Sequence, residues 1–142
     1  MTDRRAAIES LIEARNAKDK AAIEGLLAEN AELWQPFSLR EEPTRGRDAV
    51  ASALAGGIGS AFFDLDTMVR TVKRISVDGD VAFVEQHVDA KTSFGNDYSN
   101  EYLWIYTFEG DRITRIEEHL DTLRFSRTIK EGRKSVGKGE TQ

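Results

Sequence analysis

Apolar positions recur along the chain with two different periods, and the change of period divides it. Near the start, Ala7, Ile8, Leu11, Ile12 and Arg15 follow helical spacing, which lines one face of a 3.6-residue repeat, and Thr2 is placed to cap that helix. "NAKD" interrupts the period. Asp19 can cap a second, short helix whose stripe is Ala22, Ile23, Leu26 and Leu27,. "AELWQP" then reads as a short strand that Pro36 ends, because proline has no N–H to give to a ladder,. The polar "SLREEPTRG" reads as a loop, and "RDAVASALAGGI" as a third helix that stops at Gly56 and Gly57,.

From Phe62 onward the pattern is that of strands. "DLDTMVRTVKRISV" runs into a turn signal at Asp78 and Gly79, "VAFVEQHVDAKTSF" into another at Gly95 and Asn96, and "YSNEYLWIYTFE" into a third at Gly110 and Asp111,. A last strand, "TRIEEHLDT", follows. Three helices and then an antiparallel meander predict an α+β fold, with the helices on one face of a curved sheet. Residues 126–142 are basic, polar and glycine-containing. They predict a flexible C-terminal tail after a single domain over residues 1–125.

A two-residue turn at Gly110 and Asp111 pairs Glu109 with Arg112 and sets Leu103 opposite Glu118 and Ile105 opposite Ile116,. Glu118 then shares an apolar face with Leu103, Ile105 and Leu120. An unpaired ionised carboxylate buried there costs several kcal/mol, and its pKa rises until it is neutral. Such a group is suited to acid/base work. The opposite face carries Tyr102, Trp104, Tyr106 and Phe108, for which a second subunit is the natural cover, so a homodimer through Tyr102, Trp104 and Tyr106 is expected; one β-bulge would exchange the two faces. The strand before it is open to two readings. Its alternation, with a two-residue turn at Gly95 and Asn96, sends Glu85, His87 and Asp89 to solvent, whereas a three-residue turn sends them inward. His119 lies opposite Glu118 along its strand, towards solvent or an interface.

The 142-residue chain is of single-domain length, and its net charge of -5 disfavours a nucleic-acid partner,. Without cysteine, neither disulfides nor thiolate chemistry arise from its own residues, and two histidines far apart make a histidine-rich metal site unexpected,. No metal and no cofactor are expected. "MTDRRAAIES" has no apolar run typical of a signal peptide, and no stretch approaches membrane-spanning length,. A cytoplasmic location, away from membranes, is the expectation.

The order of elements and the strings "NAKDKAAIEGLLAENAELWQP", "RGRDAVASAL" and "NEYLWIYTFEGDRITRIEEHLD" resemble the nuclear transport factor 2-like superfamily over about residues 3 to 124. They resemble in particular its SnoaL-like branch, with limonene epoxide hydrolase, ketosteroid isomerase and polyketide cyclase as relatives. The resemblance implies a conical cup, a cystatin-like roll of three helices against a mixed, mostly antiparallel sheet, open to small apolar molecules. Glu118 matches the position of the cyclases' catalytic carboxylate on the last strand, with Glu where Asp is usual. The isomerase base position before the strand-ending proline is Gln35 and the isomerase tyrosine position is Leu11, which argues against that mechanism. The epoxide hydrolase relay positions correspond to His87, Asp89 and Glu118, and its water-holding positions to Leu33 and Gln35. The resulting expectation is a cofactor-independent acid/base enzyme for a small hydrophobic molecule. Glu118, His87 and Asp89 are its catalytic candidates, and Gln35, Trp34, Leu103, Ile105 and Leu120 its substrate-binding candidates. Trp34 as packing, Gln35 as a strand-end amide, and a non-catalytic binding or assembly domain of the same fold are the alternatives.

Overall fold

In a computed structural model that describes residues 3–57 and 59–140, the first helix, α1 (Arg4–Asn16), begins at Asp3, whose carboxylate accepts from the Ala6 amide at 3.3 Å. Thr2, expected in that role, lies outside the described residues. Asp19 caps α2 (Lys20–Glu24) as its side chain predicts, accepting from Ala22 at 3.1 Å. The third helix is shorter than its pattern. Regular α3 (Arg47–Ser52) passes into a wider turn over Ala53–Gly57, where Gly56 takes φ 113°. That φ is one that side chains rarely adopt, so glycine is favoured here, and a Cβ at Gly56 would also stand 2.8 Å from Leu65 Cδ1,. Ile58, the end of the string read as this helix, lies outside the described residues.

Six strands form one sheet: β1 (Leu27–Trp34), β2 (Thr44–Arg45), β3 (Phe63–Asp78), β4 (Val81–Thr92), β5 (Asp97–Glu109) and β6 (Arg112–Leu120). Their order is β2-β1-β6-β5-β4-β3, with β1 parallel to β6 and every other pair antiparallel. The α+β cup and its mixed, mostly antiparallel sheet therefore form as expected. Ile8 and Leu11 of α1, Ile23 of α2, and Val50 and Leu54 pack with Val84, Tyr106, Ile113 and Ile116 in one core under the helices.

The last hairpin corrects the expected faces. Phe108 pairs with Ile113, but Thr107 pairs with Arg115, so Thr114 is an extra, unpaired residue,. Beyond this bulge, Trp104 stands opposite Glu118 and Tyr106 opposite Ile116. The cause is visible in the sidedness of the strand: Ile113 and Ile116, three apart, are both fully buried, which a regular two-residue alternation forbids,. Trp104, Tyr106 and Phe108 are consequently covered by the chain's own helices, and Tyr102 packs against the same core. Leu103 and Ile105 lie on the other face. The expected dimer surface of Tyr102, Trp104 and Tyr106 is thus interior, and the need for a second subunit to cover it disappears.

The end of the chain is also corrected. Residues 122–140, expected as domain end and flexible tail, form a helix, α4 (Thr122–Glu140). Ile129 is 5% exposed. Phe125 packs edge-on to Phe62 at 5.3 Å between ring centroids and to Tyr98 at 6.3 Å. Asn96 holds the same helix by donating to the Thr128 carbonyl at 3.0 Å. The composition of the segment is basic, but two apolar residues four apart give it a docking stripe.

Candidate functional site

Between the concave sheet face and the helices lies a cavity of about 320 Å³. Its apolar part is lined by Leu33, Leu54, Phe62, Phe63, Leu65, Met68, Val88, Leu120 and Phe125. Its polar part combines Arg15 from the last turn of α1, Gln35 just beyond β1, Arg40 of the following loop, Arg70 of β3, Gln86 of β4, and Glu118 of β6. Tyr102 and Trp104 of β5 join the two parts.

Glu118 is the only carboxylate among these lining residues. Burial pushes its pKa up; the Arg15 charge, a hydrogen bond from the Gln35 amide and the Arg70 charge pull against that without cancelling it,. The Arg15 guanidinium lies over Trp104, 4.2 Å from the ring centroid. Arg70 donates to Asn16 Oδ1 at 3.0 Å, and its pKa is lowered to about 10, first by burial and then by the Arg15 charge. Tyr102 is held neutral by burial, with the neighbouring Tyr98 as the next cause. Its hydroxyl lies 2.6 Å from that of Tyr98, to which Asn100 donates at 2.8 Å. A carboxyl group with a raised pKa thus sits beside donors and cations, against an apolar wall.

The expected residues divide. Glu118, Gln35 and Leu120 line the cavity. Trp34 does not: it pairs with Glu117, donates to Glu32 at 3.2 Å and carries Arg115 over its ring at 4.7 Å. Leu103 and Ile105 fall on the outer face for the reason given by the bulge.

His87 and Asp89 are on that outer face as well. The turn between β4 and β5 is wider than two residues, with Thr92 N–H bonded to the Asn96 carbonyl at 2.9 Å, and it does align His87 with the Leu103 face. That face points away from the cavity. His87 meets Glu101 at 2.9 Å through Nδ1, and through Nε2 it meets the Ser99 hydroxyl at 2.9 Å and Asp89 at 3.3 Å. Its pKa is raised, chiefly by the hydrogen bond to Glu101.

Arg15, Arg70, Gln86, Tyr102, Trp104 and Phe125 were missed as site residues. A signal existed for two of them. Arg15 continues the apolar stripe of α1, and Gln86 stands between Val84 and Val88 on a buried face. A polar side chain inside an apolar period is a pocket candidate. Among the described residues, no three His, Asp or Glu side chains are grouped to hold a metal ion.

Known proteins supply the remaining context. No curated protein matches the sequence. Among solved structures, an NTF2-like protein of unknown function from Burkholderia pseudomallei K96243 is 19% identical, with 91% of this chain and 98% of that chain covered at a TM-score of 0.77. TerC, co-crystallized with polyporic acid, is 16% identical over 88% of this chain and 96% of its own, with a TM-score of 0.76. An LEH-like epoxide hydrolase of M. tuberculosis is 15% identical over 92% of each chain, with a TM-score of 0.68. At these identities the likeness is one of fold. The SnoaL-like domain model matches residues 8–116, and with most of its length inside that match the chain belongs to the SnoaL-like family of the NTF2-like superfamily.

Proposed function

We propose that this protein is a cofactor-independent acid/base enzyme that moves a proton on a small hydrophobic molecule held in the cavity, with Glu118 as general acid or base. The supporting observation is the placement of one carboxylate, its pKa raised by burial, on the wall of an apolar cavity of about 320 Å³. A raised carboxyl pKa brings the group towards the pH at which it exchanges protons efficiently. Gln35 and Tyr102 would orient a carbonyl, hydroxyl or water beside it, and the Phe62, Phe63 and Leu120 side would hold the apolar body of the substrate. Cyclisation, isomerisation or epoxide hydrolysis each fit a single carboxylate with donors nearby. His87 and Asp89 take no part in this reading, because they face away from the cavity. A cytoplasmic location belongs to the same proposal; no helix among the described residues is long and apolar enough to cross a membrane.

Glu118→Gln keeps the shape and removes proton exchange, so turnover of a substrate should fall by about two to four orders of magnitude. Carboxyl-carbon NMR provides a test without substrate. Titration of Glu118 at its ordinary value of 4.5 would overturn the proposal. A binding domain built on the same cavity is the second reading, favoured by the arginines at its polar end; ligand bound and recovered unaltered after long incubation with the wild type would select it.

A further inference from the structure

The polar end of the cavity holds more positive charge than its own residues answer. Arg15 is 8% exposed, and its Nε is buried without a hydrogen-bond partner. Among the described residues, neither Arg15 nor Arg70 has a carboxylate oxygen within 4.0 Å. A buried guanidinium without an anion is costly, and two that repel each other are more so. Glu118 is too distant to form an ion pair with either, and its own burial favours the neutral acid. A second recess of about 240 Å³ is lined by the same two arginines and adds Asn16 and Lys18. The pair therefore stands at the junction of an apolar chamber and a basic one.

We propose that the molecule taken by this cavity is an apolar carboxylate, its ring system against Phe62, Phe63 and Leu120 and its carboxylate received by Arg15 and Arg70. This deepens the proposed function, on which it rests, by naming the substrate class. The planar guanidinium is the side chain best matched to a planar carboxylate, since two parallel N–H groups meet two oxygens. Trp104 holds the Arg15 guanidinium in place, and Asn16 holds that of Arg70. A ligand anion here supplies the missing partner without displacing any existing ion pair. It also leaves Glu118 free for the proton, because the charge of the ligand is met elsewhere.

The test uses 2-naphthoate and its neutral counterpart 2-naphthamide, titrated calorimetrically into the full chain near neutral pH. The carboxylate should bind the wild-type protein about tenfold or more tightly than the amide. Arg70→Met should bring the two within about twofold while leaving amide affinity in place, and Arg15→Lys, which keeps a charge over Trp104, should weaken the preference in part. Glu118→Gln should keep or strengthen carboxylate binding. Equal binding of the two probes to the wild type, or binding of neither, overturns the proposal without recourse to a variant. A preference that survives Arg70→Met also overturns it. An ordinary Glu118 titration with an intact carboxylate preference would instead sink the catalytic reading and leave this one standing.

Discussion

Replacing Phe125 with alanine removes the ring by which α4 closes the cavity. That ring lies 5.3 Å from Phe62, 6.1 Å from Phe63 and 6.3 Å from Tyr98, measured between centroids, and it is half-buried because one side faces the cavity. A fully buried phenylalanine costs about 3–5 kcal/mol when cut to alanine. Half-burial reduces the transfer part of that cost, while the edge-on packing against three rings adds to it, and the expectation is roughly 2–3 kcal/mol. For a chain of this length that is a fall of about 5–10 °C in Tm. Differential scanning calorimetry measures it, and Ile129→Ala, which truncates the other buried residue of the stripe, should fall by a comparable amount. Should both variants melt within about 1 °C of the wild type, less than any buried-residue loss predicts, α4 is not docked in solution and the cavity lacks this wall.

Three further outcomes follow from the same structure. The folded-state pKa of Glu118 lies above its ordinary 4.5, so its contribution to stability is full below that value and is lost as pH rises through the folded pKa. Glu118→Gln should therefore be more stable than the wild type at neutral pH and show no advantage below pH 4.5; denaturant melts that rank the two in the opposite order contradict the burial argument. The raised pKa of His87 gives stability that is complete below 6.5 and is lost as pH rises through the folded value,. His87→Gln should flatten that part of the profile and leave turnover unchanged, and a large loss of turnover would return His87 to the site. Deletion of Thr114 removes the bulge but keeps Ile113 opposite Phe108, Arg115 opposite Thr107 and Ile116 opposite Tyr106, so the same faces stay inward,. Folded protein should be recovered, as checked by thermal melting, and loss of soluble protein would show that the bend made by the bulge, and not only the register, is required.

The sequence by itself determined the first three helices and the long strands in their order, whereas α4 and the short β2 fell in segments read as tail and loop. Helical spacing in α1, Asp19 as a cap, Pro36 as a strand end and the turn signals at Gly79 and Gly110 each act over a few residues, so they are legible without a fold. It also singled out Glu118, because a carboxylate amid isoleucine and leucine is anomalous in either register. Which way each face points was decided only by tertiary structure. Side chains alternate with a period of two, so the one extra residue at Thr114 exchanges every assignment beyond it,. That single bulge turned Trp104 inward, sent Leu103, Ile105, His87 and Asp89 outward, and removed the reason for a dimer. Burial of the aromatic stripe under α1 and α3 outweighed the simpler, unbulged register, an energy that no local pattern contains. Arg15 and Arg70 meet Glu118 from elements far apart in sequence, so their joint charge, and with it the chemistry of the cavity, exists only once the sheet has closed around it.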